Sequence, residues 1–149
     1  LATMESCTGG LLAHTITQIS GSSRYFKGGN VSYSNQSKTD VGVSPDLIAK
    51  YGSISPEVVR EMSECIRLAM AADVGIGITG VAGPDTMEEK AVGTIHIGLS
   101  ISGSTTSSTF YYNGSRDSIK KLATMQSLLD LNRLLADNYN ISALGTECL

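Results

Sequence analysis

The sequence predicts an α/β fold in which one β-sheet is covered by helices on both faces. Segments with the apolar spacing of helices alternate along the chain with segments typical of strands. A short turn joins the last two predicted strands within residues 92–112, so part of the sheet is expected to be antiparallel. The length of 149 residues fits one domain with a single core.

The first predicted helix follows a pair of glycines. The run LLAHTITQI after Gly10 has helical spacing of apolar residues, and SGSS ends it. The side chains expected to face inward are those of Leu11, Leu12, Ile16 and Ile19. The following stretch, YFKGGNVSYSN, contains Val31 and Tyr33 in a strand-like pattern, and SNQSK is predicted to turn the chain out of it.

Two helices with serine caps come next. In SPDLIAKYG, Ser44 is the predicted N-cap, Pro45 the first helical residue, and Gly52 lies just past the end. In SPEVVREMSECIRLAMAA, Ser55 is the cap and Pro56 begins the helix. The apolar face of this second helix is predicted to comprise Val58, Val59, Met62, Ile66, Leu68 and Met70.

The second half of the chain predicts three strands and a long helix. DVGIGITG is a glycine-rich apolar run typical of a buried strand, and VAGPDTMEEK is a loop. AVGTIHIGLSIS is a strand, and a polar turn in STTSSTFYYNG leads into another. SRDSIKKLATMQSLLDLNRLLADNY is the final helix. Its expected inward residues are Ile119, Leu122, Met125, Leu128, Leu129 and Leu135.

Composition argues against several classes of function. The net charge is −3 and no stretch concentrates Lys and Arg, so a nucleic-acid partner is not expected. There is no signal-peptide pattern and no apolar run of about 18 residues, so no membrane segment is expected. Cys7, Cys65 and Cys148 are far apart without a CxxC pair, which argues against a disulfide framework or structural zinc and favours the cytoplasm.

The segment ESCTGG places two candidate nucleophiles, Ser6 and Cys7, where a predicted strand turns into the first helix. Amides at a helix N-terminus favour an anion or a developing oxyanion. Gly9 and Gly10 would let a ligand approach the backbone, and Thr8 is a candidate helix cap. The alternative interpretation is an ordinary N-cap next to a buried cysteine.

A serine nucleophile needs a base, and histidine is a poor candidate here. His14 lies about two turns into the first helix, and His96 lies within a strand, so both are expected to be structural. A desolvated lysine with a lowered pKa can take this role. Lys38 follows Tyr33 by five residues and could activate Ser6. The alternative places the tyrosine in the core and the lysine on the surface.

Two further segments could hold a ligand. Thr79 and Gly80 end the buried strand, and Gly83 follows in the loop, at the strand end where α/β sheets bind ligands. Arg116, next to the start of the last helix, could hold a phosphate. The alternatives are that the segment from Thr79 to Gly83 is only a tight loop after a core strand, and that Arg116 is a solvated charge. Neither GxGxxG nor GxxxxGK[ST] is present, so no common nucleotide-binding fingerprint applies.

Together, several segments resemble one known family. They are, in order, ESCTGGLLA, GSSRYFKGGNVSYSNQSK, GVSPDLIAKYGSISPEVVREM, GITGVAGPD, EEKAVGTIHIGL and NGSRD. Their order and spacing resemble the C-terminal domain of the competence-damage-inducible protein CinA, a family that includes the nicotinamide-nucleotide amidases. The resemblance covers nearly the whole chain, so one domain is expected over residues 1–149. It implies a three-layer α/β/α sandwich around a mixed, mostly parallel sheet.

The resemblance also implies an activity. Family amidases hydrolyse the carboxamide of nicotinamide mononucleotide to nicotinate mononucleotide and ammonia, in pyridine nucleotide recycling, with no cofactor or metal. The family's nucleophile falls on Ser6, and its tyrosine, lysine and threonine fall on Tyr33, Lys38 and Thr79, with Tyr33 holding or relaying the proton that Lys38 takes. The expected substrate-binding residues are Thr8, Gly9, Gly10, Gly80, Gly83 and Arg116.

This chain departs from the family pattern after AGP. The family continues with glycines and KPVGT, whereas this chain reads DTMEEKAVGT, with Ala91 in place of proline. Two alternatives therefore stand beside the amidase: a catalytically silent module that binds a nucleotide or a partner, and a Ser-Lys amidase for another small amide. The chain begins within the first element, so a longer natural chain is expected. A homodimer is the assumed assembly.

Overall fold

The computed structural model describes residues 1–139, and Cys148 lies outside them. A mixed five-stranded sheet is covered by helices on both faces, which confirms the predicted α/β class. The strands are β1 Ala2–Glu5, β2 Gly28–Val31, β3 Val74–Gly80, β4 Thr94–Ile101 and β5 Ser104–Tyr111. The helices are α1 Leu11–Thr17, α2 Asn35–Thr39, α3 Pro45–Tyr51, α4 Pro56–Ala69 and α5 Arg116–Tyr139.

The sheet has the strand order β2-β1-β3-β4-β5. β1 is parallel to both β2 and β3, whereas β4 is antiparallel to β3 and to β5. Glu5, the last residue of β1, pairs with Val31 on one side and with Ile78 on the other. The carboxyl ends of the three parallel strands therefore meet at one edge of the sheet, where α/β proteins place their ligand sites.

Two apolar cores lie on opposite faces of the sheet. On one face, α1 and α5 pack against β3 and β4. The buried residues of this core include Leu12, Ile16, Ile76, Ile78, Ile95, Ile97 and Ile119. On the other face, α4 packs against Ala2 and Met4 of β1. β3 and β4 thus supply the strand residues of the first core and β1 those of the second. The result is the three-layer arrangement that the family resemblance implied.

The glycines of β3 and β4 face α4 and let it lie close to the sheet. A Cβ placed on Gly75 would be 2.0 Å from the carbonyl oxygen of Ser63. One placed on Gly98 would be 2.3 Å from the carbonyl oxygen of Val59. These are impossible contacts, so the glycine-rich pattern of the buried strand reflects close backbone packing.

Several details of the sequence prediction are wrong. SNQSK forms the short helix α2, because Ser34 and Ser37 cap it reciprocally. Tyr33 follows β2 instead of lying in it, and its side chain is 60% exposed. Ile19 lies beyond the end of α1 and is exposed, as is Leu68 near the end of α4.

Helix α5 also packs differently from the prediction. Its buried residues are Ile119, Ala123, Thr124 and Ser127. Leu122, Met125 and Leu129 are exposed on the opposite side, although they were expected to face inward. Ile119 and Leu128, also predicted to face inward, do contact the core. Leucines occur on both sides of this helix, so apolar spacing alone mixed residues of the two stripes. Within residues 1–139, no helix combines the length and apolar character that crossing a membrane requires.

Candidate active site

The corner between β1 and α1 is organised by a buried carboxylate. Glu5 is 1% exposed, and its carboxylate accepts hydrogen bonds from Thr8 Oγ1 at 2.7 Å and from the amide nitrogens of Gly10, Leu12 and Ala13 at 3.1, 3.0 and 2.8 Å. It therefore satisfies the amides at the start of α1, which have no partners within the helix.

This arrangement corrects two expectations about the corner. Thr8 does not cap α1, because its hydroxyl donates to Glu5 and the N-cap position is Gly10, in the left-handed conformation. The amides of Leu12 and Ala13 are occupied by Glu5 and do not face the candidate nucleophile. The helix start thus supports the corner without supplying free anion-binding amides.

Ser6 is fixed through its backbone. Its amide donates to the Ile78 carbonyl at 2.9 Å, and its carbonyl accepts from the Gly9 amide at 3.1 Å. The side chain is 9% exposed, and its Oγ accepts a hydrogen bond from Lys38 Nζ at 3.2 Å. The sheet therefore holds this serine in place, and the structure brings Ser6 and Lys38 into direct contact.

Lys38 is buried in the last turn of α2, where its side chain is 1% exposed. Its ammonium group donates to the carbonyl oxygen of Ser32 at 2.9 Å as well as to Ser6. Burial lowers the pKa of Lys38, and the nearby carboxylate of Glu88 opposes that effect only in part. A lysine with a lowered pKa is closer to the neutral form that can accept a proton.

Cys7, the other candidate nucleophile, has the opposite environment. It is buried in the apolar core beneath the corner, and burial raises the pKa of its thiol to about 12. The thiolate is the reactive form of cysteine, so this side chain is inert near neutral pH. Of the two neighbours, Ser6 is the one that contacts a base.

A cavity of about 310 Å³ opens beside Ser6 at the carboxyl edge of the sheet. Its walls are formed by the β1–α1 corner, Tyr33, the start of α5 and the loop after β3. The predicted site residues that line it are Ser6, Tyr33, Gly80, Gly83 and Arg116. The structure therefore gathers five of the predicted residues around one space.

Arg116 spans the mouth of this cavity. It is the first residue of α5, and its guanidinium donates to the Gly83 carbonyl and, at 2.7 Å, to the Tyr33 hydroxyl. Among the described residues, the Tyr33 hydroxyl has Arg116 as its hydrogen-bond partner and makes none with Lys38. Tyr33 is thus joined to Arg116 and the loop after β3, and the structure does not bring its hydroxyl to Lys38.

The remaining predicted residues lie behind the cavity. Thr79 is buried, and its hydroxyl donates to the Ser53 carbonyl at 2.9 Å. Thr8, Gly9 and Gly10 lie outside the lining and belong to the turn that Glu5 organises. His96, as expected, is buried in β4 with its Nδ1 2.9 Å from Thr109 Oγ1, and His14 is exposed on α1.

Comparison with known proteins identifies the family. The family model described as the CinA C-terminal domain matches residues 1–135. The chain belongs to the CinA family. A CinA-like protein of Geobacter sp. (strain M21) is 44% identical over 131 residues, which is 86% of this chain and 31% of that relative. This CinA chain spans about a third of the length of the curated relatives it matches.

Solved structures of CinA proteins share the fold. A competence-damaged protein (CinA) superfamily protein from Escherichia coli has a TM-score of 0.87 and 30% identity, covering 90% of this chain and 79% of that one. One from Klebsiella pneumoniae 700603 has a TM-score of 0.89 and 28% identity, covering 91% and 86%. The family resemblance noted from motifs is therefore confirmed, together with the α/β fold.

Sequence reasoning about this CinA chain missed three contributors. Glu5 lies within ESCTGG, and an acid before a helix start is a known capping signal that could have indicated its role. Ser32 acts through its carbonyl, so its side-chain type carries no signal. Glu88 reaches the segment before α4 from the loop that departs from the family pattern. Glu88 contacts residues that lie 35 and 34 positions away in the sequence, so these contacts follow only from the fold.

Proposed function

We propose that this chain hydrolyses the carboxamide of nicotinamide mononucleotide, with Ser6 as nucleophile and Lys38 as general base. The observation that carries the proposal is the buried contact of 3.2 Å between Lys38 Nζ and Ser6 Oγ beside a cavity. A serine hydroxyl is a weak nucleophile unless a neighbouring base removes its proton. Membership of the CinA family and the order of its motifs supply the substrate class.

In the first step, neutral Lys38 accepts the Ser6 proton while Ser6 Oγ bonds to the carboxamide carbon. The carbonyl π electrons move to oxygen, which gives a tetrahedral oxyanion, and Lys38 becomes an ammonium. The Ser32 carbonyl, 2.9 Å from Nζ, stabilises that charge and keeps the amine aimed at Ser6.

The oxyanion needs donors other than the first turn of α1. We assign this role to the amides of Cys7, Ala82 and Gly83, whose residues line the cavity. Within residues 1–139, none of these three amides donates to a backbone or side-chain oxygen. One well-placed donor of this kind contributes roughly 3 to 4 kcal/mol to transition-state stabilisation.

In the second step, the C–N bond breaks and the Lys38 ammonium gives its proton to the leaving nitrogen, so ammonia departs and a nicotinoyl ester remains on Ser6. Water then attacks the ester carbon while Lys38 accepts one of its protons. Collapse of that intermediate returns the proton to Ser6 Oγ and releases nicotinate mononucleotide. Lys38 thus acts alternately as base and acid, which a pKa lowered by burial permits.

The phosphate end of the substrate is assigned to the mouth of the cavity. Arg116 is the cationic side chain in the lining, and a guanidinium can hold a phosphate with two parallel hydrogen bonds. Tyr33 orients Arg116 through the bond of 2.7 Å between hydroxyl and guanidinium. Gly80 and Gly83 form the adjacent wall, and Thr79 supports that wall from behind through Ser53.

The test is ammonia release from nicotinamide mononucleotide by the intact chain and by S6A, K38A and C7A. We expect S6A and K38A to lose at least about a thousandfold in kcat/KM, as removal of a nucleophile or its base does elsewhere. C7A is the matched control at the neighbouring position and should stay active. Release that survives in S6A, or none from the folded intact chain, would contradict the proposal.

A second candidate is a Ser-Lys amidase for a different small amide. The observation in its favour is the loop over residues 85–91, which departs from the family pattern and supplies part of the cavity wall. Nicotinamide and nicotinamide riboside serve as comparison substrates. Faster turnover of either than of the mononucleotide would favour this second function, since Arg116 would then have no phosphate to bind.

A further inference from the structure

The loop between β3 and β4 ends in an unusual turn. Met87 and Lys90 exchange backbone hydrogen bonds of 3.4 and 2.8 Å, with Glu88 and Glu89 as the two residues between them. Both have left-handed backbone conformations, with φ of 50° and 58°. Such a two-residue turn favours Asn-Gly, because a Cβ is disfavoured at positive φ. Something outside the turn must therefore hold two glutamates there.

The Glu88 carboxylate provides that hold. It accepts hydrogen bonds from Ser53 Oγ and, at 3.0 Å, from the Ile54 amide, in the segment just before α4. Ser53 is itself tied to the end of β3, because its carbonyl accepts from Thr79 Oγ1. A Cβ on Gly52 would lie 2.6 Å from Glu88 Oε2, so the glycine leaves room for the carboxylate.

The anchored turn borders the candidate active site. Asp85, Thr86 and Met87, immediately before the turn, line the cavity beside Ser6. Their own backbone amides and carbonyls make few internal bonds: among the described residues, only Met87 of the three has backbone hydrogen bonds. The position of this wall therefore depends on its two ends, namely the segment after β3, which Arg116 holds at Gly83, and the Glu88 anchor.

We propose that Glu88 is a positioning residue that fixes the wall formed by residues 85–87 and so sets the affinity for the substrate. The proposal rests on the proposed function, because it takes the cavity as the place where substrate binds. Releasing the anchor lets the strained turn relax and the wall move away. Ser6 and Lys38 are held by β3 and by Ser32, so their contact does not depend on the anchor.

The test compares E88A with E89Q, its neighbour in the same turn, whose side chain, unlike that of Glu88, makes no hydrogen bond to the described residues. Kinetics with nicotinamide mononucleotide are measured at the pH plateau of each variant. At the plateau, the effect of the lost Glu88 charge on the protonation of Lys38 does not change the measured rates. We expect E88A to raise KM by roughly tenfold with kcat within about twofold, and E89Q to match the intact chain. E88Q, which keeps one acceptor oxygen, should be intermediate.

A second measurement does not need catalysis. Trypsin can cleave after Lys90, which is exposed in the same turn, once the loop opens. We expect cleavage at this bond, followed by mass spectrometry, to be roughly tenfold faster in E88A and unchanged in E89Q. E89G is the converse control, because it relieves the backbone strain but keeps the Glu88 anchor. Its thermal stability should rise, while its KM and its rate of cleavage after Lys90 should stay unchanged.

The outcomes separate the two proposals. Unchanged KM and unchanged cleavage in E88A would overturn the role of Glu88, while ammonia release by the intact chain would leave the proposed function standing. If the intact chain releases no ammonia, the proposed function fails, and the cleavage rate at Lys90 alone decides whether Glu88 anchors the wall. A fall in kcat with unchanged KM would also count against it.

Discussion

The carboxylate of Glu5 accepts a hydrogen bond from the amide nitrogen of Ala13, 2.8 Å from Oε1, and the two residues lie on opposite sides of the corner that carries Ser6. The residue that precedes Ser6 in sequence therefore closes the first turn of α1. A glutamine at this position would present an NH₂ group to amides that need an acceptor.

We expect E5Q to lower the free energy of unfolding by about 2 kcal/mol, because the better-tolerated orientation of the glutamine amide replaces Oε1, which accepts from Ala13 alone. A hydrogen bond to a charged acceptor contributes about 1.5 to 3 kcal/mol. Urea denaturation at pH 7 measures the change. E64Q, at an exposed position on α4, is the control and should shift stability by less than about 0.5 kcal/mol. A neutral result for E5Q would mean that water or a rotated side chain satisfies these amides.

The pH dependence of kcat/KM should follow Lys38. The neutral amine is the base, so activity rises with pH as Lys38 loses its proton. Burial lowers the pKa of Lys38 below its ordinary 10.5, so the inflection should lie below that value. K38R should be inactive at every pH, because the guanidinium stays protonated. A flat profile, or an active K38R, would argue against Lys38 as base.

The buried Lys38 should also lower the free energy of unfolding at neutral pH. The unfolded chain keeps this lysine protonated up to about 10.5, whereas the folded chain releases the proton at lower pH, so stability rises with pH between the two values. We expect K38M to be more stable than the intact chain at pH 7 and to lose that advantage at pH 10.5. Denaturant midpoints at the two pH values measure it, and a less stable K38M at pH 7 would contradict the expectation.

Arg116 offers a test of substrate orientation. If it holds the phosphate, R116A should raise KM for nicotinamide mononucleotide by roughly 10- to 100-fold, the equivalent of about 1.5 to 3 kcal/mol for a charge-assisted contact. Turnover of nicotinamide riboside, which lacks the phosphate, should not change. Y33F keeps the ring but removes the hydroxyl that accepts from Arg116, so a smaller effect in the same direction is expected. Equal losses on both substrates would place Arg116 in a structural role.

Much of the fold could be predicted because it depends on local signals. The caps at Ser44 and Ser55 and the prolines after them begin α3 and α4 as expected. The buried strand and the antiparallel pair followed from composition and a short turn. The outward face of α5 could not be predicted, because apolar residues lie on both sides of the helix and only the packed fold shows which side is covered.

The candidate site could be predicted in its residue types but not in its pairings. Ser6 and Lys38 were both singled out, yet their contact arises because β1 and β2 are parallel neighbours and α2 follows β2. Tyr33 was paired with the nearby Lys38, whereas its hydroxyl contacts Arg116, 83 residues away. An acid just before a helix start could have indicated a capping role for Glu5, but the full set of four donors follows only from the turn that the corner adopts.

The close packing of α4 on Gly75, Gly77 and Gly98 couples the rear face of the sheet to the loop that borders Ser6. The segment that receives Glu88 leads directly into α4, so a displacement of the helix would be transmitted to that loop. We expect a single methyl group added at one of these glycines to move residues 85–87 without altering any side chain in the cavity lining.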